Sequence, residues 1–167
     1  GVLEDWYDQG LPRSVQTPEE IYKCFGFQTK SEPLPVKTMF DPPFEGRVIE
    51  DTPELRIEID GMGRRTKLLK RHASLPMAQE FPVRDAASWQ DYKRRLQFHP
   101  DRIGDDLERV AEKNVATGHL NGFGVMGFYW FPRDLMGDEN LCIAYYEDPE
   151  LVEDIVETWC SLCERIL

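Results

Sequence analysis

The sequence predicts an α/β protein, and three features of it do so. A glycine-bearing strand, Val115–Val125, runs into a helix that ends on Met136-Gly137, which is one βα step. A further helix starts at Pro149, with Leu151, Val152, Ile155, Val156, Trp159, Leu162, Cys163 and Ile166 recurring at helical spacing. Upstream, alternating runs on either side of Asp60-Gly61-Met62-Gly63 mark a small antiparallel meander.

Taken in order, Thr17-Pro18-Glu19-Glu20 is a helix start: Thr17 caps, Pro18 suits the first turn and Glu20 completes a capping box. That helix runs to about Tyr22–Cys24, and Phe25-Gly26-Phe27 reads as a turn or short strand. Ser31 to Phe44 is proline-rich and must be mostly irregular and extended. The meander follows as Arg47–Glu50, Leu55–Ile59 and Arg65–Lys70. After Phe81-Pro82-Val83, Ser88 can cap a helix with Trp89, Tyr92 and Leu96 on one side. A second helix spans about Asp101 to Lys113, with Leu107, Val110 and Ala111 inward, and leads into the Val115–Val125 strand. Asp148 caps the final helix, whose solvent face carries Glu150, Glu153, Asp154 and Glu157, acids that suit its dipole.

The composition narrows the function classes. A net charge of -11 argues against a nucleic-acid footprint, which needs a basic face. The basic residues cluster at Arg64, Arg65, Lys67, Lys70 and Arg71, and again at Lys93, Arg94 and Arg95; each cluster is either a solvated face or an anion patch. The longest uncharged run, Leu120 to Pro132, falls short of the ~20 residues of a membrane span. Cys24, Cys142, Cys160 and Cys163 show no secreted disulfide pattern, which predicts reduced thiols and a cytoplasmic protein. Cys160-x-x-Cys163 lies inside a helix with no second ligand pair, so it reads as structural rather than as a metal or redox site.

The run from Arg133 to Val152, together with Trp6-Tyr7, Gly10-Leu11-Pro12, Phe25-Gly26-Phe27, Phe40-Asp41-Pro42-Pro43-Phe44, Asp60-Gly61, Ser74-Leu75-Pro76, Phe81-Pro82-Val83, Trp89 and Tyr92-Lys93, carries a likeness spread over nearly the whole chain. In their order and spacing the chain resembles the uroporphyrinogen decarboxylase superfamily. That resemblance implies an eight-stranded (β/α) barrel with its site at the C-terminal ends of the strands. A closed barrel takes ~200 residues or more, so residues 1–167 are expected to form its N-terminal portion, with residues 1–84 as the helix, extended segment and hairpin, and residues 85–167 as helices, barrel strand and closing helix.

Within that family the chain is closer to the methyltransferase-like branch, whose members move methyl groups between corrinoid proteins and thiols with zinc. The arginine-rich substrate motif of the decarboxylases is not reproduced. Gln28 stands where they carry an aspartate, and Arg133 where they carry a tyrosine four residues before the glycine matching Gly137. The expected activity is therefore corrinoid-dependent methyl transfer. The alternatives are uroporphyrinogen decarboxylation in porphyrin synthesis, and a non-catalytic partial-barrel interaction module. No cofactor is expected on these residues, zinc being assigned to the C-terminal half of the barrel. The expected partners are a small-molecule or corrinoid substrate and a second copy in a homodimer, with neither nucleic acid nor membrane.

The candidate site residues are Arg133, Tyr129, Phe123, His119, Asn121 and Gln28. Strand alternation puts Thr117, His119, Asn121 and Phe123 on one face; His119 and Asn121 either look into the barrel lumen or satisfy neighbouring strands. Arg133 either holds a substrate carboxylate or phosphate or pairs with Asp134, Asp138 or Glu139. Phe128, Tyr129, Trp130 and Phe131 carry more apolar area than a surface turn tolerates and are expected in the core or a pocket wall. Gly122, Gly124 and Gly127 fit a nucleotide-binding string but lack its acidic partner on a second strand, and read as close backbone packing. His72 and His99 fall in polar loops without metal spacing.

Overall fold

The computed structural model describes residues 2–27, 31–70 and 75–167. In chain order the elements are helices α1 (Val2–Asp8) and α2 (Pro18–Cys24), strands β1 (Ser31–Pro33), β2 (Arg47–Asp51), β3 (Leu55–Ile59), β4 (Arg65–Leu69) and β5 (Met77–Glu80), and helix α3 (Ala86–Arg95). A single 3-10 turn at Pro100–Arg102 precedes α4 (Leu107–Ala116), β6 (Leu120–Gly122), α5 (Trp130–Met136), α6 (Asp138–Glu147) and α7 (Pro149–Ile166). Helices and sheets are thus mixed in an α/β chain. The backbone divides into two compact units, one of residues 1–34 and 106–122, the other of residues 35–105 and 123–167.

The first unit is built on a parallel pair, β1 with β6, in the register Ser31↔Leu120, Glu32↔Asn121 and Pro33↔Gly122. Helix α2 starts on the capping box read from the sequence: Glu20 N–H donates to Thr17 Oγ1 at 3.3 Å, and Thr17 N–H to Glu20 Oε2 at 2.9 Å. The expected strand Val115–Val125 is corrected here. Helix α4 continues to Ala116, and the strand is only Leu120–Gly122. Leu107, Val110, Ala111 and Asn114 extend one helical stripe, and Asn114 is buried, so the periodicity outweighs the β-branched Val115. Gly118, at φ 77°, lets the chain leave the helix.

The second unit holds the antiparallel meander, in the order β2-β3-β4-β5, and a helical layer. Asp60 shapes the β3–β4 turn: its Oδ1 accepts from Met62 N–H at 2.9 Å and Arg64 N–H at 3.0 Å. The core lies among the helices, with Val83, Trp89, Leu96, Phe131, Leu135, Leu141, Ile155, Trp159 and Leu162 at its centre. Phe131 stacks on Trp159 with ring centroids 4.3 Å apart, and Trp159 Nε1–H donates to Met126 O at 3.0 Å. Trp89 Nε1–H and the Lys93 ammonium both bond to Asp154, clipping α3 to α7. Tyr92 O–H donates to Met62 O at 3.1 Å, and burial pushes its phenol up to about 12.

Two further expectations are revised. The cap of α3 is Asp85, whose Oδ1 accepts from Ser88 N–H at 2.8 Å, so Ser88 is the reciprocal partner three residues in. The expected helix over Asp101–Lys113 is broken at Gly104. A Cβ there would lie 2.9 Å from the Pro35 ring, and Gly104 N–H bonds to Pro35 O. The segment between Gly137 and Pro149, for which the sequence predicts no element, is α6, with Leu141 and Ala144 on its buried side. Cys163 is buried, as its helical position predicts.

Arg102 is fully buried and carries its charge without a carboxylate in contact. Its Nε–H donates to Gln97 O at 2.9 Å and its Nη1 to Lys37 O at 3.0 Å and Met39 O at 2.7 Å, while Nη2 reaches Arg95 O. One guanidinium thereby satisfies carbonyls at the end of α3 and binds the extended Lys37–Met39 segment to them. Burial pulls its pKa down, and Asp41 opposes that shift.

Candidate functional site

The corner where α5 hands over to α6 concentrates the polar chemistry of the second unit. Gly137 makes the corner: its φ of 80° and ψ of 160° suit only glycine, and a Cβ there would meet the Phe81 ring at 2.6 Å. The corner brings Arg133, in the last turn of α5, against Asp138, the first residue of α6. Arg133 Nε–H donates to Asp138 Oδ1 at 2.6 Å and Nη2 to Oδ2 at 3.2 Å, a two-pronged contact. Tyr129 O–H donates to the same Oδ1 at 3.3 Å. The Arg133 guanidinium carbon lies 4.5 Å from the centroid of the Trp130 ring.

Charges around the corner are closely compensated. Asp134 Oδ1 lies 3.7 Å from Arg133 Nη1 and 3.0 Å from Arg64 Nη1, and Arg64 Nε–H donates to Asp60 Oδ2 at 2.8 Å. The hairpin turn is thereby tied to α5. The Arg133 contact holds the Asp138 carboxyl below the usual carboxylate range, and the Asp138 contact in turn raises the Arg133 pKa. Partial desolvation, together with the Asp138 charge, raises the Tyr129 phenol. Of the two readings of Arg133, a substrate anion or its own acids, the structure shows the acids Asp138 and Asp134 holding it.

Of the six residues singled out in the sequence, the fold brings Arg133 and Tyr129 together. Phe123 belongs to the same unit and is half-buried in the segment before α5. Phe131 is buried, whereas Phe128, Tyr129 and Trp130 are 54%, 47% and 56% exposed, which removes the core from the two places expected of them, core or pocket wall. Helix α5 turns one face inward, through Phe131, Leu135 and Met136, and the residues just before it are left outside.

His119 and Asn121 lie in the other unit and do not share a strand face. His119 precedes β6, with its Nδ1 2.8 Å from Thr117 Oγ1. Asn121, within β6, accepts from Asn114 Nδ2–H at 3.0 Å and donates to Ala111 O at 3.4 Å. Both bond to the end of α4, because that helix runs on where a strand was expected. Gln28 and His72 lie outside the described residues. His99 Nε2 sits 3.3 Å from Asp41 Oδ2.

Arg64 and Asp60 are the members of the network that sequence reasoning missed. The signal was present: an Asp opening a glycine-containing turn, with Arg four residues on. The basic cluster there is largely neutralised, Arg64 by Asp60 and Asp134, Arg65 by Glu80 and Lys70 by Asp51, which favours the solvated-face reading. Among the described residues no group of three or more His, Cys, Asp or Glu is placed to hold a metal ion, and no helix is long and apolar enough to cross a membrane. No protein-family model, curated protein or solved structure matches this chain.

Proposed function

We propose that this chain forms the first part of a uroporphyrinogen-decarboxylase-like (β/α) barrel enzyme, and that its activity is corrinoid-dependent methyl transfer to a thiol. The observation that carries the reading is the parallel β1–β6 pair. Parallel strands belong to sheets covered on both faces, yet among the described residues β1 and β6 pair only with each other. Among the described residues Val15 and Asn114 are the buried side chains of their unit, while Trp6, Tyr22, Phe25, Phe27, Val115 and Leu120 are exposed. A two-stranded parallel sheet with this much apolar surface calls for further strands and helices beside it, as a barrel would supply.

In this reading Arg133, Tyr129 and Phe123 form part of the substrate wall, and zinc is held by residues beyond those described. Zinc in such an enzyme would activate the accepting thiol as a thiolate. The contribution of this chain is to orient a charged group of the substrate through Arg133 and to exclude water with the aromatic side chains around it. Arg133 in place of the decarboxylases' tyrosine, and Gln28 in place of their aspartate, favour methyl transfer over decarboxylation. The test is metal analysis of the purified full-length protein, with an assay of methyl transfer from methylcobalamin to a thiol. Bound zinc and transfer support the reading; absence of both zinc and corrinoid binding overturns it.

Exposed Phe128, Trp130 and Tyr146 favour a second reading, an interaction module without catalysis. Self-association on a sizing column by a protein that binds neither zinc nor corrinoid would select it.

A further inference from the structure

Three donors converge on the carboxylate of Asp138. Arg133 Nε–H and Nη2–H reach it at 2.6 and 3.2 Å, and Tyr129 O–H at 3.3 Å. The Trp130 ring lies against the guanidinium that supplies two of them. The Asp138 side chain is 61% exposed, so rotation about its own bonds clears the donors without moving the backbone of α6. We propose that this cradle binds a planar carboxylate monoanion, and that Asp138 fills it as an internal stand-in until the ligand displaces it. The proposal rests on Arg133 and Tyr129 being substrate contacts, not on methyl transfer itself.

Shape and charge both select the ligand class. The Nε/Nη2 edge of an arginine matches the two oxygens of a carboxylate, and a carboxylate already occupies it here. Asp134 Oδ1 stands 3.7 Å from Arg133 Nη1, and displaced Asp138 keeps its charge nearby. A dianion such as phosphate would meet both, whereas a monoanion is matched by the one guanidinium. Trp130 and Phe128, each more than half exposed, offer apolar surface in the same segment for a flat organic body attached to the carboxylate.

The alternative is that the ion pair only braces the Gly137 corner, and one experiment separates the two. Benzoate is titrated into the wild-type protein, Asp138→Ala, Arg133→Gln and the double variant, with binding followed by ligand-observed NMR and folding by circular dichroism. Removing the competitor should tighten benzoate binding by roughly two- to fivefold, the scale of an exposed ion pair. Arg133→Gln should abolish binding in either background, and inorganic phosphate should not compete. Asp138→Ala binding benzoate no better than wild type, or Arg133→Gln retaining it, overturns the proposal. So does a fall in melting temperature for Asp138→Ala without tighter benzoate binding, which would assign the pair to bracing. Benzoate binding as expected in a full-length protein without zinc or methyl transfer keeps the carboxylate site and rejects the methyltransferase reading; the converse result does the reverse.

Discussion

Replacing Arg102 with methionine should be among the most damaging single changes in the second unit. The side chain is fully buried and its guanidinium bonds to four backbone carbonyls, those of Lys37, Met39, Arg95 and Gln97. A hydrogen bond from a charged donor contributes about 1.5–3 kcal/mol, so four give roughly 6–12 kcal/mol gross. Methionine would return part of this, since it fills similar space and removes the cost of keeping a cation out of water, a matter of several kcal/mol. The balance is a loss of about 3–5 kcal/mol. With a urea slope of about 2 kcal/mol per molar, the unfolding midpoint should fall by about 2 M. Urea titration followed by tryptophan fluorescence measures this directly, because Trp89 and Trp159 are buried in the same core. Arg102→Lys, with its donors on a single point, should recover only part of the loss, and the exposed Arg94→Met should leave the midpoint in place. A shift below about 0.5 M for Arg102→Met would show that water or neighbouring donors replace the guanidinium readily, and would refute the reasoning.

Gly137→Ala should lower stability by about 2 kcal/mol or more, since the left-handed backbone and the Phe81 ring 2.6 Å from the new Cβ both oppose it; thermal unfolding checks this, and an unchanged midpoint would contradict the corner geometry. Asp41 accepts a hydrogen bond from Lys37 Nζ at 3.0 Å, which holds its carboxyl below the ordinary value of 3.8. The stability it contributes is therefore present above pH 3.8 and is lost as pH falls through its lowered pKa. Asp41→Asn should accordingly flatten the acid limb of a stability-against-pH curve while lowering the plateau near neutrality; an acid limb unchanged in slope would reject the assignment.

Local signals held at three places where side chains bond within a few residues, although the cap of α3 fell to Asp85 and not Ser88. The Thr17–Glu20 box, the Asp60-Gly61 turn and the Asp148 cap with Pro149 all hold, because each is decided by neighbours along the chain. The strand expected at Val115–Val125 was misplaced for the opposite reason. Its β-branched and glycine content is a local preference, and it lost to a helical stripe whose register is fixed upstream at Leu107 and Val110. Helix α6 was missed because its inner face is carried by Leu141 and Ala144, too little apolar periodicity to stand out beside Tyr145 and Tyr146. At the site, Arg133 with its acidic neighbours was legible from spacing. The tie to Arg64 was not, since it crosses 70 residues and depends on where the hairpin turn comes to rest.

Strand β1 ends at Pro33 and its partner β6 begins at Leu120. On the ribosome, at roughly 5–20 residues per second, β1 therefore emerges several seconds or more before its partner strand β6. Through that interval Trp6, Phe25 and Phe27 travel with an unpaired backbone, a combination that invites capture by other nascent chains. Synthesis in the cell should accordingly depend on a holding chaperone for this segment more than for helices α5 to α7.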